Sequence, residues 1–444
     1  MPEIREWPLA SGRPWPDLAA LQARRPQRYP GLFLSNGDGR WDILFAFPDS
    51  VERLDAAGGL DRLRAHPAMQ APADPSPAAG HGLPFSGGWL AMFGYELGGH
   101  FEPRAGSVDD TAFPLAWLAR IPAAILIDRS RARCTLMAEP GRGDLIASMA
   151  ADLADAAPPL AALPPLTTID EDDPAGFLAG VARIQDYIRA GDVFQVNLSR
   201  GWRAEYAAPP AAAALFGRLM QANPAPFSAL LQTDDWSIVS SSPERLIRLG
   251  ADGWLETRPI AGTHPRSEVD AEDAALRGRL QAHPKERAEH VMLVDLERND
   301  LGRICVPGSV SVPALMEIAS YRHVHHIEST VRGRLRAGVS VYDVLRAVFP
   351  GGTITGCPKV RTMQIIRELE QTPRRAYTGS VGYINRAGGF DFNILIRSFL
   401  LRGRRLDFRA GAGIVADSVA ARELEETRAK ARGLLRALDA GHGR

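Results

Sequence analysis

Paired cysteines, a net charge and membrane-length apolar runs are all missing from this chain of 444 residues, and each absence removes a class of function. Cys134, Cys305 and Cys357 stand far apart with no paired spacing, which excludes a disulfide framework or a zinc knuckle and suits a reducing cytoplasm. Lys plus Arg (52) equals Asp plus Glu (52), so the formal charge is zero. A neutral chain lacks the positive field that a phosphate backbone demands, and nucleic acid is not an expected partner. No stretch approaches the roughly 18 consecutive apolar residues of a membrane span. The opening residues, with Glu3, Arg5 and Glu6, carry no signal-peptide pattern. A soluble, cytoplasmic protein with a small-molecule ligand is the expectation.

What is present is a hydrophobic content of 45%, enough for a substantial core in a chain longer than one compact unit usually allows. Composition shifts most sharply at 151–174, where an Ala, Pro and Leu stretch runs into the acidic residues 170–173. It reads as a surface connector between an N-terminal part, 1–150, and a longer part, 175–435. The N-terminal part shows short strands bounded by turn formers, as at 41–47 (WDILFAF) and 87–95 (GGWLAMFGY). The longer part opens with a signalled helix: Asp173 as cap, Pro174 at the first position, then Phe177, Val181, Ile184 and Ile188 on one face. Strand-like runs at 236–240 and 245–249 precede helical patterns at 288–296, 358–370 and 421–438. Mixing without regular alternation predicts an α+β fold rather than a doubly wound sheet.

Several segments can carry chemistry. In FPGGTITGCPK (349–359), Gly351, Gly352 and Gly356 allow tight turns, Thr353 and Thr355 offer hydroxyls, and Pro358 begins a helix. A glycine-rich turn feeding a helix N-terminus presents free N–H groups to an anion. It is not a Walker A loop, since no Ser or Thr follows Lys359, so a carboxylate suits it better than a nucleotide triphosphate; an ordinary helix cap also explains it. A second such turn, AGAGIVADS (410–418), runs into the last helix, on which Glu423, Glu426 and Lys430 share a face beside the apolar stripe. Oxygen ligands of this kind suit Mg2+, although a solvated Glu–Lys pair has the same spacing. Glu289 precedes the apolar run VMLVDL and needs a partner, a metal ion or an arginine, if its helix is buried. Arg397 interrupts an apolar strand. His325 and His326 point to opposite faces of a strand, so the cluster with His323 does not read as zinc.

Together these segments resemble the chorismate-utilising enzyme family. The matching motifs are GDVFQVNLSR (191–200), SSPERL (241–246), RPIAGTHPR (258–266), EHVMLVDLERNDLGR (289–303), FPGGTITGCPKVRTMQIIRELE (349–370) and AGAGIVADS (410–418), in family order. The resemblance implies two large, mainly antiparallel sheets packed as a sandwich with helices outside. By motif, Glu289 and Glu426 resemble the family's magnesium carboxylates, with Glu423 near the metal through water. Glu244 is similar to its general acid, and His326 to its cleft histidine. Arg397 and Tyr383 resemble the pair that holds the enolpyruvyl carboxylate. Gly411, Gly413 and Lys430 would hold carboxylate oxygens, and Thr263 and Thr353 would line the pocket. Ser35, in LFLSNGDGR, lies where some members bind tryptophan.

Members that add water carry a lysine where this chain has Gln195, which cannot take the water proton. The resemblance therefore implies amination, with ammonia from a glutamine amidotransferase partner. GRWDILFAFP (39–48), NPAPFSALLQ (223–232) and VHHIEST (324–330) resemble the aminodeoxychorismate synthase branch, whose product feeds para-aminobenzoate and folate synthesis. Ala261 departs from the PIKGT of many such members and matches the anthranilate synthases, which are the alternative. A non-catalytic chorismate- or tryptophan-binding regulator is a third reading, against which Glu244, Glu289 and Glu426 argue.

Overall fold

The computed structural model describes residues 1–9, 15–36, 39–70, 82–108, 110–155, 158–267, 269–320 and 324–438. Its strands form two antiparallel sheets of 12 and 10 strands. The first runs Glu3–Trp7, Arg133–Ala138, Ala123–Asp128, Trp41–Ala46, Gly31–Asn36, Phe227–Gln232, Ser237–Ser242, Ser398–Arg402, Arg405–Ile414, Gln195–Tyr206 and Gly356–Cys357. Leu166–Glu171 also pairs with Gln195–Tyr206. The second runs Ile260–Pro265, Val324–Arg334, Trp254–Arg258, Arg245–Leu249, Phe390–Asn393, Ser380–Asn385, Gly88–Phe93, Ala116–Ile121 and Ser50–Leu54, with Ser311–Ser320 on Val324–Arg334.

Side-chain alternation divides the core into layers. Every residue of Trp41–Ala46 is buried. Ile43 and Phe45 enter the layer between the sheets, where they meet Leu90, Met92 and Val381. Leu44 and Ala46 point the other way, into a layer shared with the helices Gly143–Ala154, Ala212–Ala222 and Ala420–Leu438. The second sheet is covered likewise by Pro284–Gly302 and Val341–Val348. Each sheet thus buries both faces, and near-continuous apolar strands result. The α+β sandwich with outer helices is the architecture expected from the resemblance.

The helix expected at Asp173 is Pro174–Arg189, and the Asp173 carboxylate accepts from the Ala175 N–H as its cap. The stretch 151–174 carries the strand Leu166–Glu171, and the chain on its two sides is interleaved in both sheets. Gly31–Asn36 pairs with Phe227–Gln232, and Gly88–Phe93 with Ser380–Asn385. The N- and C-terminal parts therefore share two sheets rather than folding as separate layers.

Arg245 is wholly buried where strands of the second sheet meet. Its guanidinium holds Asp391 at 3.1 Å and Glu256 at 2.9 Å, above the Phe227 ring. Removing one partner of a buried pair strands the other charge. Arg245→Met should therefore lower stability by about 3–5 kcal/mol in denaturant unfolding; a loss below about 1 kcal/mol would contradict this assignment.

Candidate active site

The chain crosses from the first sheet to the second between Ser237–Ser242 and Arg245–Leu249, and Glu244 sits at that crossing. It crosses back between Phe390–Asn393 and Ser398–Arg402, and Arg397 sits there. The two crossings are stitched together. Ile394 N–H donates to the Glu244 carbonyl at 3.0 Å, Ser241 N–H to the Arg397 carbonyl at 3.1 Å, and the Ser242 hydroxyl to the Ile394 carbonyl at 2.5 Å. Arg397 adopts a φ of 54°, a conformation that non-glycine residues hold only when their surroundings impose it.

This corner sets the electrostatics. Glu244 is 4% exposed. Burial pushes its carboxyl up to about 8; the neighbouring Glu297 charge adds to the rise, while the Thr353 hydroxyl and the Arg397 guanidinium oppose it. At neutral pH Glu244 is thus largely a neutral acid with a proton to give. Burial holds His326 down to about 4, against a bond from the ring to the Gly262 carbonyl, with Arg397 and Lys430 lowering it further. The imidazole is therefore neutral. Arg397 is itself lowered by burial, and Tyr377, Glu244 and Glu426 act to raise it. One acid, one neutral imidazole and two cations share this corner.

The last helix, Ala420–Leu438, supplies the far wall. Lys430 Nζ lies 2.6 Å from Glu426 and donates to the Gly411 carbonyl at 2.9 Å. Glu423 is buried on the same helix. The strand below is kept bare by glycine. A Cβ at Gly413 would lie 2.2 Å from the Gln195 side-chain nitrogen, and one at Gly411 would crowd Asn197 Oδ1 and the Tyr377 hydroxyl. Gln195 Oε1 and Asn197 Oδ1 are sealed from solvent without completing a hydrogen bond among the described residues; Glu244 Oε1 and Thr353 Oγ1 are sealed too, and the Thr353 hydroxyl acts on the Glu244 carboxyl. Buried polar atoms are nearly always satisfied, so such a concentration marks a place that takes a polar ligand.

The helix Pro284–Gly302 brings Leu296 and Glu297 against Gly352 of the glycine loop. Glu289 Oε1 on it is shut off from solvent. Among the described residues no three His, Cys, Asp or Glu groups are gathered as a ready cage. Glu289, Glu423 and Glu426 nevertheless fit Mg2+ by chemistry. All are hard oxygen donors, two present carboxyl groups withdrawn from water, and Mg2+ needs only one or two carboxylates besides water and ligand oxygens. A cavity of about 780 Å³ opens on the adjoining side of this helix, lined by Met292, Leu296, Phe349, Cys357 and Met363. It reaches Asp300 and Lys359, a pair 2.6 Å apart, but Glu244, His326, Arg397 and Glu426 lie outside it.

Of the residues singled out by sequence, Glu244, His326, Thr353, Arg397, Gly411, Gly413, Glu426 and Lys430 are linked by these interactions. The Thr263 backbone pairs with His326, while its side chain lies outside the described ones, as does all of His323. Tyr383 requires correction. It lies in the apolar layer between the sheets, its ring against Phe45 and Phe85, because strand alternation puts it on the face of Val381. Tyr377, six residues earlier and outside that strand, is the tyrosine beside Arg397 and Gly411. The same period of two was legible in SVGYIN. Glu297 was also missed; burial pushes it up to about 7, with the Asp300 charge adding and Lys359 opposing. His325 and His326 diverge as expected, His325 joining Asp273 at 2.9 Å and Ser320 at 2.8 Å.

Residues 31–436 match the family described as chorismate binding enzyme. This chain belongs to the chorismate-binding enzymes. It is 38% identical to aminodeoxychorismate synthase component 1 of Klebsiella aerogenes over 424 residues, 92% of each chain. It is 40% identical to an anthranilate synthase component I-like protein of Synechocystis sp. over 360 residues, 80% of this chain and 74% of that one. The solved anthranilate synthase component I of Streptococcus pneumoniae superimposes with a TM-score of 0.78 at 31% identity, covering 89% of this chain and 92% of that one. Within that family fold, the buried carboxyl of Glu244 lies where the chain passes from one sheet to the other.

The raised Glu244 carboxyl has a testable consequence. Its folded value lies above the ordinary 4.5, so its share of stability is full below about 4.5 and is lost as pH rises through about 8. Glu244→Gln, which stays neutral, should flatten that loss. Denaturation midpoints of wild type and variant at about pH 5 and about pH 9 should converge at the lower value and diverge in favour of the variant at the higher. Parallel pH slopes would mean that Glu244 is ionised in the folded protein.

Proposed function

We propose that this chain acts as an aminodeoxychorismate synthase component I, replacing the C4 hydroxyl of chorismate with an amino group to give 4-amino-4-deoxychorismate. The observation that carries the chemistry is Glu244, a buried carboxyl that keeps its proton at neutral pH beside the fixed cation of Arg397. Glu244 protonates the departing C4 hydroxyl, a role that needs a donor titrating near the working pH. Arg397 with Tyr377 holds one carboxylate of the ligand, and Lys430 with the backbone of Gly411 and Gly413 the other. The neutral His326 lines the cleft with Thr263 and Thr353. Glu289 and Glu426, with Glu423 behind them, would hold Mg2+, which as a Lewis acid would supply a grip on carboxylate oxygens and help the hydroxyl depart.

Gln195 stands at the bared strand, where it can orient a nucleophile but not deprotonate water. Ammonia is the nucleophile that needs no such base, and a glutamine amidotransferase subunit would supply it, with the product directed to para-aminobenzoate and folate in the cytoplasm. A second reading, anthranilate formation, is favoured by Ala261, since no lysine stands there to add to the ring. Ser35 lines a separate cavity of about 490 Å³ with Pro224, Phe227, Pro243 and Arg258. An indole amino acid suits that apolar and proline-edged space, and we assign it as a tryptophan pocket.

Product analysis tests the main reading. Purified chain with chorismate, Mg2+ and ammonium should yield p-aminobenzoate only after an aminodeoxychorismate lyase is added. Anthranilate appearing without the lyase would transfer the protein to the second reading. For the metal, Glu426→Ala should abolish Mg2+-dependent turnover and remove the heat of Mg2+ binding in the presence of chorismate; undiminished rates and binding would take Glu426 out of the site. Tryptophan should raise the melting temperature of wild type but not of Ser35→Trp, and an unchanged wild-type melting temperature would dismiss the pocket.

A further inference from the structure

Behind the catalytic corner lies a buried cation whose hydrogen bonds go to none of the groups assigned to the ligand. Arg374 is 3% exposed and spends all five of its N–H bonds inside the protein. Nε donates to Glu370 Oε2 at 3.0 Å. One terminal nitrogen donates to the Ile354 carbonyl at 3.1 Å and the Thr378 hydroxyl at 3.3 Å. The other donates to the Asn197 carbonyl at 2.8 Å and to Glu370 Oε1 at 2.6 Å. The guanidinium also lies over the rings of Tyr95, at 4.8 Å, and Tyr377, at 5.5 Å.

Three of those partners, Ile354, Asn197 and Thr378, belong to separate stretches of chain, and each borders a group assigned to the ligand above. Ile354 follows Thr353 in the glycine loop, whose hydroxyl opposes Glu244. Asn197 lies two residues beyond Gln195 on the bared strand, and its N–H donates to the Thr355 carbonyl at 2.8 Å. Thr378 follows Tyr377, and its N–H reaches the Leu395 carbonyl at 2.8 Å, two residues before Arg397. Glu370, at the end of the Lys359–Glu370 helix, is itself held by Ser199 and Arg409. One planar fork therefore sets the mutual distance of the glycine loop, the nucleophile strand and the tyrosine loop.

We infer that Arg374 is a positioning residue for the reaction: its fork, locked on Glu370, fixes Thr353, Gln195 and Tyr377 relative to Glu244 and Arg397. This rests on the ligand chemistry proposed above. A lysine cannot replace the fork, because a point-charge ammonium pairs with Glu370 without bridging two carbonyls in fixed directions. A misplacement of about 1 Å at reacting groups costs on the order of 10²-fold in rate.

The test compares Arg374→Lys with Arg409→Lys, since Arg409 binds the same Glu370 but reaches neither the Ile354 nor the Asn197 carbonyl. For Arg374→Lys, kcat with chorismate and ammonium should fall by about 10²-fold with KM within about threefold. Backbone amides in 352–357 and 195–198 should exchange faster with solvent than in wild type. Arg409→Lys should lose stability yet keep kcat within about threefold. If Arg374→Lys does not fold, Glu370→Gln, which keeps the shape and loosens the same fork, must show the same pairing of slowed kcat and faster local exchange. An unchanged kcat in a folded variant, or losses that track melting temperature equally in both arginine variants, would overturn the inference. The exchange measurement needs no substrate. Unaltered exchange overturns the inference by itself, whereas absent wild-type turnover of chorismate would count against the proposed function instead.

Discussion

Withdrawing a carboxyl group from water is costly unless it stays protonated or meets a cation, and the placement of Glu244 at the meeting of two sheets turns that cost to use. The crossing segments are sealed by the buried core on either side, so water cannot relax the charge. Moving Glu244 to a solvated loop would return it to the ordinary carboxylate range and leave no proton at neutral pH. The left-handed Arg397 and the stitched crossings are what hold the acid and its counter-charge in the same corner. The surrounding glycines then matter as bare backbone against which a ligand can lie.

The cations around this corner divide by side-chain type. The chain has three lysines, Lys285, Lys359 and Lys430, so arginine supplies nearly all of its positive charge. Arg245 and Arg374 are locked by carboxylates and carbonyls in several directions, as the planar guanidinium allows. Lys430 is different. It sits on an exposed-to-buried edge between Glu426 and the Gly411 carbonyl, a compact charge on a flexible stem that can turn from Glu426 to an incoming carboxylate. Arg245 and Arg374 are each held in several directions, whereas Lys430 is held, among the described residues, only by Glu426 and one carbonyl.

Local signals in the sequence located much of this. Asp173 and Pro174 announced their helix because cap chemistry is local, and the turn formers on either side announced WDILFAF as a strand. The glycine-rich segments and the acidic face of the last helix were legible as chemistry, and the ordered motifs gave them roles. What was hidden depends on pairings across hundreds of residues. The interleaving of the two halves in both sheets, the double crossing that joins Glu244 to Arg397, and the reach of Arg374 to the Asn197 carbonyl have no signature within a window of the chain. The motif pointed to Tyr383, whereas strand phase turns that side chain into the core and Tyr377 stands beside Arg397.

The geometry also separates two questions that the sequence fused. Ligand polarity is answered by the corner: two cations, one proton donor and unsatisfied amides and hydroxyls suit a ring bearing carboxylates and a leaving hydroxyl. The position of amination, under the proposed function, is a finer matter that turns on Gln195 and Ala261. Ala261 lies on Ile260–Pro265, paired with Ile327, in the second sheet, while Gln195 lies on Gln195–Tyr206 in the first. The Gln195 amide and the Ala261 methyl group thus belong to different sheets. With no amine on the Ala261 side, any covalent assistance must come from elsewhere, and the described lysines nearest the corner are already engaged, Lys430 by Glu426 and Lys359 by Asp300. On the proposed amination, Gln195 is then a polar group of the first sheet whose side chain can neither add to a ring nor take a proton.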